Sequence, residues 1–471
     1  MVGREEETAE LKAIAEGDRS CLVVVYGRRR VGKTFLIREA FGNSFAFSHT
    51  GMEKGSMNEQ LRQFRESLVD FGWEDCPVPE TWIDAFVLLK KFLLRGGDGR
   101  KIVFIDELPW MDTPKSSFLP ALEHFWNGWC SARKDIALIV CGSATSWMTK
   151  KVLRNKGGLF NRASRTINLQ PFTLHDCEAY AREAGLVMSR RELIEAYMVF
   201  GGVPYYWSLL DRRFSFAQNL DRLYFSVSGE LVPEFRRLFE SVFRRPEPYL
   251  RIVSALGISP GGMTRAELAR KAKVDNDGKL TTWLRELEQS GFTKVFLPFG
   301  KRKKGAVHQL VDAFALFHLR FARAATTSGE GFWTMASDLP ERRAWEGLAF
   351  ERVCLMHVRE IKRALQIGGV RTSVCSWRHV ADETYGKGAQ IDLLIDRADN
   401  VIDVCEMKYS SGKYALSKKD CENIDNKLDA FKVVSNTVKS LHLVLITANG
   451  LAENAYARKA QNVLVLDDLF T

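Results

Sequence analysis

A glycine-bounded segment near the N-terminus constrains the fold more than any other part of the chain. The run Gly27-Arg28-Arg29-Arg30-Val31-Gly32-Lys33-Thr34 follows the apolar stretch 21–26 and leads into the helix-forming residues 35–41. The pattern GxxxxGK[ST] between a buried strand and a helix predicts a loop that binds phosphates with its backbone N–H groups and with the helix N-terminus. We therefore predict nucleotide binding here. A glycine-rich turn that binds nothing is the simpler alternative.

Individual positions of this segment have predicted roles. Lys33 would reach the β- and γ-phosphate oxygens, and the hydroxyl of Thr34 would bind Mg²⁺. Gly27 and Gly32 can adopt backbone angles that other residues disfavour, so the chain can approach a ligand closely. The predicted cofactors are ATP and Mg²⁺. The nucleotide-binding residues predicted in this loop are Gly27, Arg28, Arg29, Arg30, Val31, Gly32, Lys33 and Thr34.

A second apolar run, residues 101–105, ends in Asp106 and Glu107. A fully apolar strand followed by carboxylates is typical of a strand that is buried on both faces of a parallel sheet and opens at its carboxyl end. Asp106 is predicted to hold Mg²⁺ through its water shell, and Glu107 to orient the attacking water. The alternative is an Asp-Glu pair that caps the following turn.

Alternating strands and helices define the fold of this region. Residues 136–141 predict another buried strand, with Ser143 at its tip. A polar residue at that tip can sense the γ-phosphate, but a serine that caps the next helix is an equal alternative. The alternation predicts an α/β fold with a doubly wound, mostly parallel sheet. Further strands are predicted at 44–48 and 164–172, and helices at 57–71 and 81–95.

Composition narrows the class of protein. A length of 471 residues suggests about three domains. The net charge of +10 permits a polyanion partner without requiring one. Nine scattered cysteines without a CxxC pair are typical of buried thiols in a reducing compartment. No apolar run is long enough to cross a membrane, and the acidic N-terminus is unlike a signal peptide. We therefore expect a cytoplasmic protein that has no membrane partner.

The sequence pattern changes in the middle of the chain. Residues 173–240 carry helical patterns and are interpreted as a lid over the nucleotide. After residue 249, three predicted helices and a hairpin indicate a winged helix. Its third helix, 279–290, can enter the major groove of DNA, while the basic hairpin around 300–305 touches phosphates. Winged helices also serve as protein docking units, so a protein partner or a homo-oligomer stays open.

Three polar residues near the C-terminus suggest a second site. Period-two alternation puts Glu406 and Lys408 on one face of a strand at 401–409, and Asp392 would come from the neighbouring antiparallel strand. Two carboxylates and a lysine can hold a hard divalent cation and orient a water for attack on a phosphodiester. The lysine would stabilise charge in the transition state. The alternative is that Glu-x-Lys is a common surface pattern.

Several of these segments together resemble one family. The start Val2-Gly3-Arg4-Glu5, the glycine-bounded loop, the FIDE strand end, the GSATS tip and the stretch 201–206 are similar to prokaryotic P-loop ATPases of the AAA+/STAND-like, archaeal-type group. The resemblance implies that Gly3 and Arg4 lie near the adenine. It also implies that Arg162 responds to the phosphates, although the family's usual Gly-Arg is Asn-Arg here. A solvated arginine is the alternative.

Residues 340–471 resemble the PD-(D/E)xK nuclease fold, in the DUF234-type version fused behind ATPases of this group. The resemblance implies that an acid on the preceding helix, predicted at 342–362, belongs to the site. Glu351 matches that position, with Glu346 as second choice, and many members carry Glu where Gln390 stands. The predicted catalytic residues are Glu107, Asp392, Glu406 and Lys408. The predicted metal ligands are Thr34, Asp106, Asp392, Glu406 and Glu351.

We therefore predict a P-loop ATPase core at 1–175, a helical lid at 176–240, a winged helix at 241–325 and a nuclease-like domain at 326–471. The predicted function is ATP binding and hydrolysis by a protein that acts on DNA, in which the nucleotide state gates a Mg²⁺-dependent phosphodiesterase. One alternative is a regulatory ATPase switch whose C-terminal domain only binds DNA or a partner protein. Another is a plain nucleotide-binding scaffold.

The basic hairpin gives a direct test of DNA contact. Replacing Lys301, Arg302, Lys303 and Lys304 with Ala should weaken DNA binding. Binding releases counterions from the DNA in proportion to the phosphates contacted, so each lost contact reduces that release. If all four side chains contact phosphates, the negative slope of log affinity against log salt concentration should decrease in magnitude by about 3 to 4. Fluorescence anisotropy across a salt series measures this slope. An unchanged slope would remove the hairpin from the DNA interface.

Overall fold

The computed structural model describes the chain except for residues 155–158, 160, 301–304, 328–330 and 337–338 and the side chains of 323 and 325–327. The described residues form two compact units. The first unit comprises Met1–Pro171 with Glu240–Arg244, and the second comprises Phe172–Phe239 with Arg245–Thr471. In the described parts of the chain, no helix combines the length and the apolar character that crossing a membrane requires.

The first unit is built on a five-stranded parallel sheet with the strand order β2-β3-β4-β1-β5. Its strands are β1 (Cys21–Tyr26), β2 (Phe47–Thr50), β3 (Lys101–Asp106), β4 (Ile136–Gly142) and β5 (Arg165–Asn168). Its helices are α1 (Glu5–Ala15), α2 (Lys33–Ala40), α3 (Met57–Asp70), α4 (Trp82–Arg95), α5 (Leu108–Met111), α6 (Phe118–Gly128) and α7 (Thr145–Trp147). A 3₁₀ helix at Cys130–Ala132 and a π-helix at Met148–Leu153 complete it.

Both faces of this sheet are covered, which explains the fully apolar strands. On β1, Leu22 and Val24 belong to an apolar cluster with residues of α3, α4 and α6, whereas Val23 and Val25 belong to a second cluster with residues of α1 and α2. Adjacent strand residues thus pack against helices on opposite sides. The predicted parallel α/β fold is confirmed. Two strand positions were wrong: 44–48 lies at Phe47–Thr50, and 164–172 contains only Arg165–Asn168.

The second unit begins with helices. These are α8 (Leu174–Glu183), α9 (Arg190–Phe200), α10 (Pro204–Ser208), α11 (Phe216–Leu220), a π-helix at Asp221–Phe225 and α12 (Glu234–Val242), of which the residues from Glu240 onward belong to the first unit. Capping boxes start three of them, with Thr173, Ser189 and Ser215 at the N-cap positions. Each cap satisfies backbone N–H groups that have no partner inside the helix. The region is helical as predicted, and its role as a lid stays a prediction.

A small three-stranded antiparallel sheet follows, with the strand order β6-β8-β7. Its elements are α13 (Glu247–Gly257), β6 (Met263–Thr264), α14 (Arg265–Ala272), α15 (Gly278–Gln289), β7 (Thr293–Phe296) and β8 (Val307–Leu310). A capping box of Thr264 and Glu267 starts α14. We call this group of elements the three-stranded module. The hairpin cations Lys301, Arg302, Lys303 and Lys304 lie outside the described residues.

The last part of the chain contains a mixed five-stranded sheet with the order β13-β12-β11-β10-β9. Strands β9, β10 and β11 pair antiparallel, whereas β11, β12 and β13 pair parallel. The strands are β9 (Thr372–His379), β10 (Ala389–Arg397), β11 (Val401–Lys408), β12 (Ser440–Thr447) and β13 (Asn462–Leu464). The helices are α16 (Ala313–Thr327), α17 (Phe332–Met335), α18 (Pro340–Met356), α19 (Val358–Ala364) and α20 (Lys418–Ser435), with 3₁₀ helices at Ala457–Lys459 and Leu466–Phe470.

The single helix predicted at 342–362 is wrong, because the chain forms α18 and α19 with a break at His357. The buried imidazole of His357 donates from Nδ1 to the Val353 carbonyl (2.8 Å), and its Nε2 accepts from the Leu174 N–H (3.3 Å). These two bonds require the neutral ring. Burial lowers the pKa of His357, which favours that form. The break between α18 and α19 therefore coincides with a contact between His357 and the start of α8.

Candidate functional site

The loop after β1 requires glycine at two positions. An ideal Cβ at Gly27 would lie 2.3 Å from the carbonyl oxygen of Leu169, so no side chain fits where the loop passes the segment after β5. Gly32 precedes α2 with a φ of 88°, in the left-handed region that L-residues disfavour. These two positions bend the chain into a closed loop whose last turn continues directly into the first turn of α2.

Lys33 is the centre of this loop. Its side chain is buried, with 5% of the residue surface exposed. The ammonium donates to the carbonyls of Gly27 (3.1 Å) and Arg28 (2.9 Å) and to the hydroxyl of Ser143 at the tip of β4 (3.0 Å). Three oxygens hold the cation inside the loop, which compensates for removing it from water.

The carboxylates after β3 complete the same network. The hydroxyl of Thr34 donates to Asp106 Oδ2 (2.6 Å). Glu107 accepts twice from Ser143, from the hydroxyl at Oε1 (2.6 Å) and from the backbone N–H at Oε2 (3.1 Å). The structure therefore brings together Lys33, Thr34, Asp106, Glu107 and Ser143, which the sequence placed on three separate strand ends.

The capping alternatives for these residues are absent from the described geometry. Glu107 is the N-cap residue of α5 and Ala144 that of α7, and neither of these two side chains accepts a capping hydrogen bond from the helix that follows it. Glu107 has a φ of 48°, an uncommon angle for a residue other than glycine. Backbone strain of this kind is concentrated at functional sites. Here it accompanies the Glu107 side chain's contact with Ser143.

The donor set fits Mg²⁺ and a nucleotide triphosphate. The Thr34 hydroxyl and the Asp106 carboxylate, 2.6 Å apart, are oxygen ligands of the kind that Mg²⁺ prefers. Lys33 supplies a compact positive charge beside the N-terminus of α2, where backbone N–H groups favour anions. These residues of the chain could therefore hold the phosphates and the metal ion together.

Arg4 and Gly3 lie beside the loop. The Arg4 guanidinium is buried and donates to the carbonyls of Gln170 (2.6 Å) and Val31 (3.5 Å). It therefore ties the N-terminal turn both to the loop and to the segment after β5. Gly3 adopts a φ of 63° and its N–H donates to Glu5 Oε1 (3.2 Å). Their predicted proximity to the adenine stays a prediction.

The remaining arginines differ in position. Val31 is fully buried, whereas Arg28, Arg29 and Arg30 are half-buried on the loop. Arg162 is exposed in the turn before β5, where its N–H donates to the Leu159 carbonyl (3.0 Å). Its predicted role stays open, and three residues of the stretch on which that prediction rested, Gly157, Gly158 and Phe160, lie outside the described residues.

The site residues predicted near the C-terminus line one cavity in the second unit. Leu393 on β10 pairs with Cys405 on β11, and Asp392 and Glu406 directly adjoin this pair. Both carboxylates and Lys408 line a cavity of about 330 Å³ between the sheet and α20. Gln390 also lines it, and its Nε2 donates to Asp392 Oδ1 (2.7 Å). The predicted grouping of Asp392, Glu406 and Lys408 is therefore present.

Two lysines hold Glu406. Lys408 Nζ lies 3.0 Å from Oε1, and Lys427 Nζ on α20 lies 2.7 Å from Oε2. Burial alone would raise the pKa of Glu406, but the two ammonium groups outweigh it and lower that pKa below its usual 4.5. Glu406 is therefore an anion at neutral pH, and both of its oxygens already have cationic partners.

Sequence reasoning missed Lys427. The signal was present, because Ile424, Leu428 and Phe431 form the apolar stripe of α20, and Lys427 shares that stripe. A lysine on the core-facing side of a helix needs a buried acidic or carbonyl partner. Pairing it with Glu406 required knowing that α20 packs against β10 and β9, close enough for the lysine to reach β11.

The predicted metal ligands of this cavity do not form a three-ligand site. Among the residues that the structure describes, no group of three or more His, Cys, Asp or Glu side chains could hold a metal ion. Burial, and then the nearby Asp392 carboxylate, raise the pKa of Glu351 to about 7. Glu346, the second choice, accepts from Arg342 Nε (2.8 Å). Because the arrangement does not fit a metal, we derive no catalytic step through one here.

Comparison with known proteins agrees with the geometry of the first unit. Residues 1–210 match the family model described as an ATPase domain predominantly from Archaea. These residues are an archaeal-type P-loop ATPase domain. The match extends beyond the first unit into the helices α8, α9 and α10, whereas the three-stranded module and the five-stranded mixed sheet lie outside it.

Longer matches extend past the ATPase domain. An uncharacterised protein of Methanocaldococcus jannaschii is 25% identical over 404 residues, which cover 84% of either chain. A Walker-type ATPase of Pyrococcus abyssi has a TM-score of 0.48 and 18% identity, covering 68% of this chain and 96% of its own. The ORC2 protein of Aeropyrum pernix, solved in ADPNP–ADP complexes, has a TM-score of 0.39 and 13% identity, covering 69% and 96%.

The raised pKa of Glu351 predicts a pH dependence of stability. With a pKa of about 7 in the folded chain against 4.5 otherwise, the native state binds more protons between these values, so stability is present below pH 4.5 and is lost as the pH rises through 7. The parent chain should lose about 2 kcal/mol of its free energy of unfolding between pH 5 and pH 8 through this group, and Glu351→Gln should abolish that loss. Urea unfolding of the full chain at both pH values measures it.

The matched control is Glu341→Gln, which changes an exposed glutamate of the same helix. This variant should keep the pH dependence of the parent chain. If the Glu351→Gln chain and the parent lose the same free energy of unfolding between pH 5 and pH 8, the assignment of that loss to Glu351 is wrong.

Proposed function

We propose that this protein binds and hydrolyses ATP at the loop around Lys33 and acts on DNA through its second unit. In this proposal the nucleotide state gates a phosphodiester-cleaving centre at Asp392, Glu406 and Lys408. The single observation that carries the ATPase part is the chain of contacts from Lys33 through Ser143 to Glu107, with distances of 3.0 and 2.6 Å. It links the phosphate-binding lysine to the carboxylate that would orient the water.

The roles of the residues follow from these contacts. Lys33 and the N–H groups of the loop bind the phosphate oxygens, while Thr34 and Asp106 hold the metal ion. Bound Mg²⁺ supplies neutralisation of the charge on the phosphates. Glu107 orients the attacking water, and its two bonds from Ser143 fix the carboxylate plane. Ser143 contacts both Lys33 and Glu107. A shift of Lys33 on phosphate binding would therefore alter the position of the Glu107 carboxylate through the Ser143 side chain.

The DNA part of the proposal is supported by the three-stranded module. Asp277 caps α15 by accepting from the N–H groups of Lys279 (2.8 Å) and Leu280 (3.2 Å). Beyond the cap, the side chains of Lys279, Thr281 and Arg285 are exposed on one side of the helix, opposite its buried leucines. Cationic and hydroxyl side chains on an exposed helix suit phosphates and base edges.

The cleavage part is supported by the cavity residues. Asp392 and Glu406 face the same space from paired strands, and Lys408 brings an ammonium to within 3.0 Å of Glu406. Burial and Glu406 act in opposite directions on the pKa of Lys408, and the net effect is a raised pKa. The lysine is therefore charged at neutral pH and can stabilise negative charge on a phosphodiester group.

A second candidate is a regulatory ATPase whose C-terminal cavity only binds DNA or a protein. The observation that favours it is the pairing of Glu406 with both Lys408 and Lys427, because a metal ion would have to displace two ammonium groups from that carboxylate. A nuclease-like fold can persist as a binding module, so fold alone does not decide between the two.

Lys33→Ala tests the ATPase part. The variant should lose nucleotide binding or turnover on the order of a hundredfold, because it removes the charge that stabilises the transferred phosphoryl group. Fluorescent-nucleotide titration and phosphate release measure the two steps. Lys91→Ala, at an exposed lysine of α4, is the matched control and should behave like the parent chain. Full ATPase activity in Lys33→Ala would overturn the assignment of the loop.

Asp392→Ala/Lys408→Ala tests the cleavage part. Purified protein is incubated with plasmid, ATP and either Mg²⁺ or Mn²⁺, and nicked or linear products are quantified on gels. The parent chain should cleave and the double variant should not, because the variant lacks one carboxylate and the ammonium of the centre. Glu383→Ala/Lys387→Ala removes one acid and one lysine at exposed positions and should cleave normally.

The two candidates separate in the same assay. Cleavage that persists in Asp392→Ala/Lys408→Ala places the activity elsewhere or in a contaminant. No cleavage by the parent chain under any of these conditions, together with DNA binding that the double variant weakens, supports the binding-only candidate.

A further inference from the structure

The loop between α13 and β6 packs against the strand that carries Asp392. An ideal Cβ at Gly261 would lie 2.5 Å from Nε2, 2.6 Å from Oε1 and 2.9 Å from Cδ of Gln390. Such distances are shorter than real Cβ contacts, so position 261 has no room for a side chain while the Gln390 amide keeps its place. A side chain at position 261 would therefore displace the Gln390 amide.

The same amide holds Asp392. Gln390 Nε2 donates to Asp392 Oδ1 over 2.7 Å. Strand β10 is irregular at this point, because its register against β9 shifts between Ile391 and Leu394. A bulge redirects side chains relative to a regular ladder. The hydrogen bond from Gln390 therefore contributes orientation that the strand pairing alone does not impose on Asp392.

Hydrogen bonds hold the loop that contains Gly261 in place. Gln309 on β8 donates from Nε2 to the Gly261 carbonyl (3.3 Å), and the Ser259 hydroxyl donates to the Gly262 carbonyl (2.9 Å). From the other side, the buried guanidinium of Arg352 on α18 donates to the Pro260 carbonyl. Because the loop is held from β8 and from α18, it resists displacement by the amide that presses on it.

We propose that Gly261 is a positioning residue for the centre at Asp392 and acts through Gln390. The loop confines the Gln390 amide to the position from which it donates to the Asp392 carboxylate. This inference rests on the proposed function of the cavity and deepens it: the three-stranded module, which carries the proposed DNA contacts, sets the orientation of a carboxylate in the proposed cleavage centre.

Gly261→Ala is the direct test. The atoms that the new methyl group meets belong to the flexible end of the Gln390 side chain, so the amide should move aside with the fold retained. The bond to Asp392 is then lost. A displacement of about 1 Å in a catalytic geometry can cost on the order of a hundredfold in rate, so plasmid cleavage should slow by up to that factor while DNA affinity stays unchanged.

Three further variants show whether Gly261 acts through Gln390. Gln390→Ala should slow cleavage to the same degree, and Gly261→Ala/Gln390→Ala should be no slower than Gln390→Ala alone. Gly386→Ala is the control, because its ideal Cβ meets nothing within 4 Å. An additive loss in the double variant, or parental activity in Gly261→Ala, would overturn the inference.

Crystal structures of the parent chain and of Gly261→Ala provide a readout that does not depend on activity. The parent should show Gln390 Nε2 bonded to Asp392 Oδ1, and the variant should show this bond broken with the loop unmoved. A bond retained in the variant contradicts the positioning role. If the parent cleaves no DNA, the proposed function fails, and the two structures alone decide the role of Gly261.

Discussion

The burial of one ammonium group determines the architecture of the ATPase site. Lys33 is 5% exposed, and its positive charge is stable there only because three oxygens surround it. Two of these oxygens belong to the loop itself, so the loop must close around the lysine, and the third is the hydroxyl of Ser143. Since Ser143 in turn donates to Glu107, the ends of β1, β3 and β4 are fixed relative to one another.

Local patterns predicted this site because each of its parts is encoded by neighbouring residues. The glycines, Lys33 and Thr34 stand in one loop, and Asp106 and Glu107 directly follow a buried strand. Parallel strands bring their carboxyl ends to the same edge of the sheet, so the parts meet without further information. The alternation of β11 likewise predicted that Glu406 and Lys408 would share a face, and both line one cavity together with Asp392.

Contacts between distant segments could not be predicted in this way. Lys427 reaches Glu406 on β11 from α20, a helix that packs against β10 and β9. The break between α18 and α19 coincides with the bond from the Leu174 N–H to the His357 imidazole. Gly261 looks like an ordinary loop glycine in the sequence, and only the position of Gln390 shows why a side chain is excluded. Each case depends on a tertiary partner that helix periodicity and strand alternation do not specify.

The three-stranded module and the five-stranded sheet share backbone hydrogen bonds, which bears on how DNA could act on the second unit. The Ser376 N–H on β9 donates to the Leu297 carbonyl (3.2 Å), and the Phe299 N–H donates back to Ser376 (3.1 Å). The segment after β7 thus covers β9, an edge strand of the five-stranded sheet. In the proposed function, these bonds and the loop at Gly261 connect the module that carries α15, the helix proposed to contact DNA, with the strand that holds Asp392.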